Sequence, residues 1–225
     1  MTAEETLNKL AQEISICTKC VLHESRKKSV AGDGPANAEI MFIGEGPGFH
    51  ENEQGHPFVG ASGKFLDQLL AQAFVTRTEV FICNVVKCRP PGNRDPLPDE
   101  ITACDGHLEA QIKIIDPSII VTLGRISMNK FIPGAKITAV HGQMRKVGDR
   151  FVIPMFHPAA ALHQAALKPS ILGDFAKLPE QLKEARAALG KAAIIDKVKK
   201  NMKEIPNDTP SPPASAGEPE QLNLF

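Results

Sequence analysis

No apolar run in this chain approaches the roughly 18 residues that a membrane-crossing helix needs, so none reads as a membrane span. Its first residues, Met1-Thr2-Ala3-Glu4-Glu5-Thr6, are acidic and carry no apolar stretch, so no signal peptide is expected. Excess charge of either sign is also lacking, since 26 basic residues meet 26 acidic ones. That excludes a protein that coats nucleic acid by bulk electrostatics, while leaving room for a local basic groove. There is no internal repeat, and the G-x-G-x-x-G spacing of a dinucleotide loop is absent. Five cysteines in 225 residues suit a reducing cytoplasm better than a secreted disulfide framework. With 42% hydrophobic and 23% charged residues, the composition is that of one globular domain with a tail.

What is present begins with four of those cysteines. Cys17 and Cys20 form a C-x2-C pair, and Cys88 and Cys104 a C-x15-C pair far downstream. Four thiolates so spaced suit a bound metal, either zinc or an iron–sulfur cluster, and spacing alone leans toward zinc. Cys83 lies in an apolar run, where a free cysteine acts as a small hydrophobe. Positive charge gathers near both pairs, as Arg26-Lys27-Lys28 and as Lys87, Arg89 and Arg94.

Residues 3–16 read as an amphipathic helix, with Leu7, Leu10, Ala11 and Ile14 on one face. Apolar runs at 39–43, 80–86, 118–123 and 150–156 read as strands, three of them too continuously apolar for a wet face. Helices are expected at about 62–74, 97–115, 124–131 and 159–188, the last interrupted at Pro169 and Gly173. Alternating strands and helices predict a three-layer α/β/α sandwich on a mostly parallel sheet. This domain should occupy residues 1–190. Residues 191–220 read as a basic, then Pro/Ser/Ala-rich, disordered linker, and 221–225 as a separate terminal peptide.

Three strand ends carry the chemistry. Gly44-Glu45-Gly46-Pro47-Gly48 follows the first strand, at the end of an open α/β sheet where ligands bind. Its glycines permit close approach to a flat ligand; a tight ligand-free turn is the bland alternative. Phe58, in Gly55-His56-Pro57-Phe58-Val59-Gly60, is either core or a stacking platform. Asn84 ends the second strand, where a side-chain amide could read a base edge with a paired donor and acceptor. His157-Pro158 ends the last strand.

Taken together, these strings resemble the family 4 uracil-DNA glycosylases, the iron–sulfur type. The likeness runs through 44–63, Asn84-x-x-Lys87-Cys88-Arg89-Pro90-Pro91, Pro96-Leu97-Pro98-Asp99-Glu100 and His157-Pro158, over about residues 10–185. It implies a central four-stranded sheet and a [4Fe–4S] cluster on Cys17, Cys20, Cys88 and Cys104. It also implies an enzyme that removes uracil from single- or double-stranded DNA, leaving an abasic site that starts base-excision repair. Carried over by position, Phe58 would stack on the flipped uracil and Asn84 would bind its O4 and N3 edge. Backbone at Gly44 and Gly46 would line the pocket, Glu51 would crowd C5, and His157 would donate toward O2. Glu45 would place water or balance the sugar cation. No lysine belongs to that site, so the enzyme should be monofunctional. Lys87, Arg89 and Arg94 are candidate DNA-backbone contacts, and Leu162 the candidate wedge. Asn52 stands where the family often has aspartate, and no inserted basic loop separates Gly48 from Pro57. Gln221, Leu222, Leu224 and Phe225 resemble the peptide with which bacterial repair proteins dock on the sliding clamp. A cytoplasmic monomer is expected; its rival is a DNA-binding or redox-sensing module that no longer cleaves.

Overall fold

The structure is a computed structural model that describes residues 1–191, and Met1–Gly190 form one compact unit. Both the 191–220 linker reading and the terminal peptide lie essentially outside the described residues.

Four strands, β1 (Ile40–Gly44), β2 (Phe81–Asn84), β3 (Ile119–Leu123) and β5 (Arg150–Met155), pair in parallel in the order β2-β1-β3-β5. A fifth, β4 (Arg145–Val147), adds antiparallel to β5 at the edge. The expected sheet of four is therefore a sheet of five. β4 escapes a search for apolar runs because Arg145 and Lys146 are exposed and only Val147 packs on the core beside its backbone pairing. Gly148, at φ 60°, sits in the tight turn that joins it to β5.

Side chains alternate across the sheet and both faces are buried, as a parallel sheet with helices on each side requires. Ile40, Phe42, Ile82, Val121 and Ile153 face one core with α3 (Ala61–Gln72), α8 (Lys168–Ala176) and α9 (Leu178–Leu189). Met41, Ile43, Phe81, Cys83, Ile120 and Val152 face the other, with α1 (Ala3–Ser15) and α4 (Pro98–Ile115). Shorter helices, α2 (Phe49–Gln54), α5 (Arg125–Phe131), α6 (Ile137–Val140) and α7 (Pro158–His163), fill the connections. The last helical stretch is not broken at Pro169 and Gly173. Pro169 lies in the first turn of α8, where its missing N–H costs nothing, and Gly173 lies within that helix. The breaks fall instead around Gln164 and Lys177, with Pro179 opening α9 in the same way.

The free edge of β2 is covered. Asp33 N–H donates to Ile82 O (2.9 Å) and Ile82 N–H to Asp33 O (2.8 Å), so the N-terminal segment crosses the sheet there. Gly34 makes this possible: at φ 131° its missing Cβ would stand 2.1 Å from Val80 O.

Candidate active site

A cavity of about 450 Å³ opens at the carboxyl ends of β1, β2 and β5. Glu45, Gly46, Glu51, Phe58, Asn84 and His157 all line it, so the strand-end residues singled out from sequence meet. Gly44 does not line it. It lies behind, where an added Cβ would come 2.4 Å from Asn84 Oδ1 and 2.8 Å from the Phe58 ring. Its bareness lets those two side chains sit side by side.

Phe58 is both core and platform. It is buried in the β1 face core, and its ring stacks on His157 with centroids 5.5 Å apart and planes at 25°. Its backbone is left-handed (φ 53°), uncommon for a bulky residue and held from two sides. Glu51 Oε1 accepts from Val59 N–H (2.9 Å) and Gly60 N–H (3.0 Å). Behind the loop, Gly63 packs so tightly that a Cβ would come 1.8 Å from Phe58 O. Glu51 thus organises the Phe58 loop while its carboxylate also reaches the cavity.

Asn84 is 2% exposed, and its side-chain amide has no protein hydrogen-bond partner among the described residues. A buried amide left open costs stability unless something else pairs with it, so this one is poised for a ligand. His157 Nδ1 accepts from Ala159 N–H (3.1 Å), which caps α7 and leaves the ring proton on Nε2. Burial pushes its pKa down to about 4, with Glu51 opposing, so the imidazole is neutral. Burial, and then Asp95, hold the Glu45 carboxyl above its ordinary range, with Arg125 opposing. Arg125 in turn pairs with Asp95 at 2.5 Å.

Cys17, Cys20, Cys88 and Cys104 face one small cavity walled by Ile14, Leu22, Val86 and Ala103. None is in a disulfide. Among the described residues no three candidate ligands gather tightly enough to hold a single ion; the sulfurs surround a space instead. Burial pushes the Cys104 thiol up to about 11 and raises that of Cys88, so a metal must displace protons to bind. Two N–H groups donate to these sulfurs, Arg26 Nη1 to Cys88 (3.4 Å) and Lys87 N to Cys104 (3.3 Å), and His107 Nε2 lies 3.3 Å from Cys17 Sγ. Sulfurs that receive N–H donors are characteristic of thiolate sites. His107 was not singled out from sequence, although it lies one turn beyond Cys104 on α4, and Arg26 was noted only as part of a basic cluster.

Of the three basic residues expected at the DNA backbone, one is misplaced. Lys87 is 1% exposed, so it is no DNA-backbone contact; it turns inward to Asn84 O (2.8 Å) and Gln111 Oε1 (2.6 Å). Arg94 lines the cavity but grips buried Glu100 through both oxygens (2.9 and 2.6 Å). Arg89 donates to Asn93 Oδ1 (2.7 Å) and lies over the exposed Phe49 ring. Asn52 points away from the cavity, its Oδ1 accepting from Lys27 N–H (3.0 Å), so a carboxylate there would not enter the pocket. Cys83 is fully buried core, as expected. Leu162 is exposed on α7, beside pocket-lining His163.

Sheet, cavity and donors together define an α/β protein that takes a flat, hydrogen-bonding ring at the carboxyl ends of its strands. Residues 31–190 match the model of the Uracil DNA glycosylase superfamily, and the chain belongs to that family. It is 46% identical to a type-4 uracil-DNA glycosylase of Sulfurisphaera tokodaii over 187 residues, covering 78% of this chain and 84% of that one. It is 42% identical to the type-4 enzyme of Thermotoga maritima over 188 residues, 81% of this chain and 98% of its relative. A type-5 uracil-DNA glycosylase of Pyrobaculum aerophilum is 30% identical over 144 residues, 56% of this chain and 63% of that one. No helix among the described residues is long and apolar enough to cross a membrane.

Proposed function

We propose that this chain is a monofunctional uracil-DNA glycosylase, hydrolysing the N-glycosidic bond of deoxyuridine to release uracil and leave an abasic site. The observation that carries the reading is the meeting of an unpartnered Asn84 amide, a neutral His157 and the Phe58 ring in one cavity. A base must leave the stack for its glycosidic bond to be reached, and uracil does so readily from weak or mismatched pairs. Phe58 supplies a face for the extruded ring, and Asn84 pairs with its O4 and N3 edge, which cytosine cannot match. As the bond breaks, negative charge develops on uracil. The Nε2–H of neutral His157, aimed at O2, stabilises that charge without having to lose a proton. Glu45, made more basic by burial, suits the placing of water or the balancing of the sugar cation. No lysine lines the cavity, which fits a reaction that stops at the abasic site.

Incubation with a uracil-containing oligonucleotide followed by alkali tests this. Strand cleavage should appear with the protein and be absent from an Asn84→Ala, His157→Ala double variant; no cleavage from a brown, cluster-loaded preparation overturns the reading.

The four cysteines fit a [4Fe–4S] cluster: all four line one small cavity, and N–H groups of Arg26 and Lys87 donate to two of the sulfurs. Bound there, it supplies covalent cross-links between the N-terminal segment, the 87–94 loop and α4. We place the enzyme in the cytoplasm as a monomer that starts base-excision repair, with residues 1–190 as catalytic domain, Arg89 and Arg94 toward the DNA backbone, and Leu162 as wedge. Gln221, Leu222, Leu224 and Phe225 dock on a sliding clamp across the 191–220 linker. Deleting the last five residues should abolish clamp pull-down and spare excision on short oligonucleotides; clamp binding that survives the deletion refutes the docking.

A further inference from the structure

Lys87 is held at four points. Its N–H reaches Cys104 Sγ (3.3 Å), its carbonyl accepts from Val30 N–H (2.8 Å), and Nζ donates to Asn84 O (2.8 Å) and Gln111 Oε1 (2.6 Å). Gln111, on α4, is itself fixed by donating to Ala31 O (2.7 Å). The oxygen partners of this buried amine are carbonyls, not carboxylates, and the buried Cys83 thiol lies beside it. If the space only had to be filled, an apolar chain of the same length would fill it without desolvating an amine. The polar group therefore has a directional task. That direction is toward the peptide of Asn84, the last residue of β2, whose side chain lines the cavity. From the other side β1 holds the same turn, with Val85 N–H on Gly44 O (3.0 Å) and Val86 N–H on Glu45 O (3.1 Å).

We propose that Lys87 is a positioning residue that aims the Asn84 amide into the cavity and ties that aim to the cysteine corner through Cys104. One residue spans both sites, with its backbone on the sulfur and its side chain on the strand end. The inference rests on the reading of Asn84 as the base-recognising group. Lys87→Met keeps the length and removes the donor.

The test is a double-mutant cycle in the full chain, with cluster content matched by absorbance, over Lys87→Met, Asn84→Ala and their combination. Two quantities are read: single-turnover excision of uracil from an oligonucleotide, and calorimetric binding of free uracil. Lys87→Met should lower both on the order of tenfold and leave affinity for uracil-free DNA unchanged. In the Asn84→Ala background it should add nothing further to either. Full Lys87→Met losses on top of Asn84→Ala overturn the inference and leave the site reading intact. If Asn84→Ala alone spares excision and uracil binding, the site reading falls and the inference with it. Should Lys87→Met fail to fold, Gln111→Leu keeps the lysine but frees it from α4. Its smaller losses should likewise vanish in the Asn84→Ala background, and additive losses there overturn the inference equally.

Discussion

Asn84 and Cys88 stand four residues apart in the chain and are treated in opposite ways. The amide of Asn84 is buried yet left without a protein partner, while Cys88 Sγ receives Arg26. The same contrast holds around each. At the cavity, His157 keeps Nε2 free and Glu45 sits among other charges; at the cysteine corner, Cys104 receives an N–H and Cys17 lies against the His107 ring. One region keeps its hydrogen-bonding capacity open for a ligand that comes and goes. The other commits its donors to sulfurs that should hold a permanent group. Binding energy in the first is available to a transition state, and in the second it goes into the fold.

Separating chemistry from fold is the strongest way to test that contrast. Asn84→Ala and His157→Ala should each lower kcat about 10²–10³-fold, with the unfolding midpoint close to that of the parent. A large drop in stability instead would show that the pocket groups are structural. The complementary variants act on the corner. His107→Leu and Arg26→Met should shorten cluster lifetime under chelator about 10–100-fold, followed by the loss of its visible absorbance, while excision per loaded enzyme holds.

Glu51 lies between the two regimes, because it organises a loop and also faces the cavity. Glu51→Ala strands the two part-buried N–H groups of Val59 and Gly60 and should cost about 1–3 kcal/mol in denaturant unfolding, with weaker uracil binding as Phe58 loosens. The last contrast concerns acid. Because the folded state holds His157 near 4 against an ordinary 6.5, the unfolded chain takes up the proton first. The associated stability is fully present above about pH 6.5 and is lost as pH falls through 4. Proton NMR should show this ring titrating near 4, and excision should keep its neutral donor until then. Titration near 6.5 in the folded protein would remove the basis for a neutral imidazole.

Much of this was legible in the sequence, for identifiable reasons. Three of the four parallel strands are continuously apolar because both faces are covered, so composition alone betrays them. Glu45, Asn84 and His157 stand at strand ends, where short motifs survive reading in one dimension. β4 was missed because an edge strand held by backbone bonds needs no apolar run. Lys87 was misplaced for a different reason. Among Lys, Cys, Arg and Pro it reads as part of a basic loop, and only the fold shows that its side chain turns back beneath β2. Arg26 comes from the N-terminal segment and His107 and Gln111 from α4, and what unites them is contact with the cysteines and Lys87.

The strip at residues 30–34 that crosses the edge of β2 has a consequence for the unloaded protein. It follows Cys17 and Cys20, so whatever binds those sulfurs also anchors the cover. At the opposite border of the sheet, the exposed Arg145 and Lys146 discourage a second sheet from joining. Losing a thiolate-bound group would therefore loosen one border only, leaving the cover to its own bonds on Ile82, Lys87 and Gln111. If those gave way, the bared β2 could recruit another molecule strand by strand, and the damage would register as self-association before it registered as a missing base.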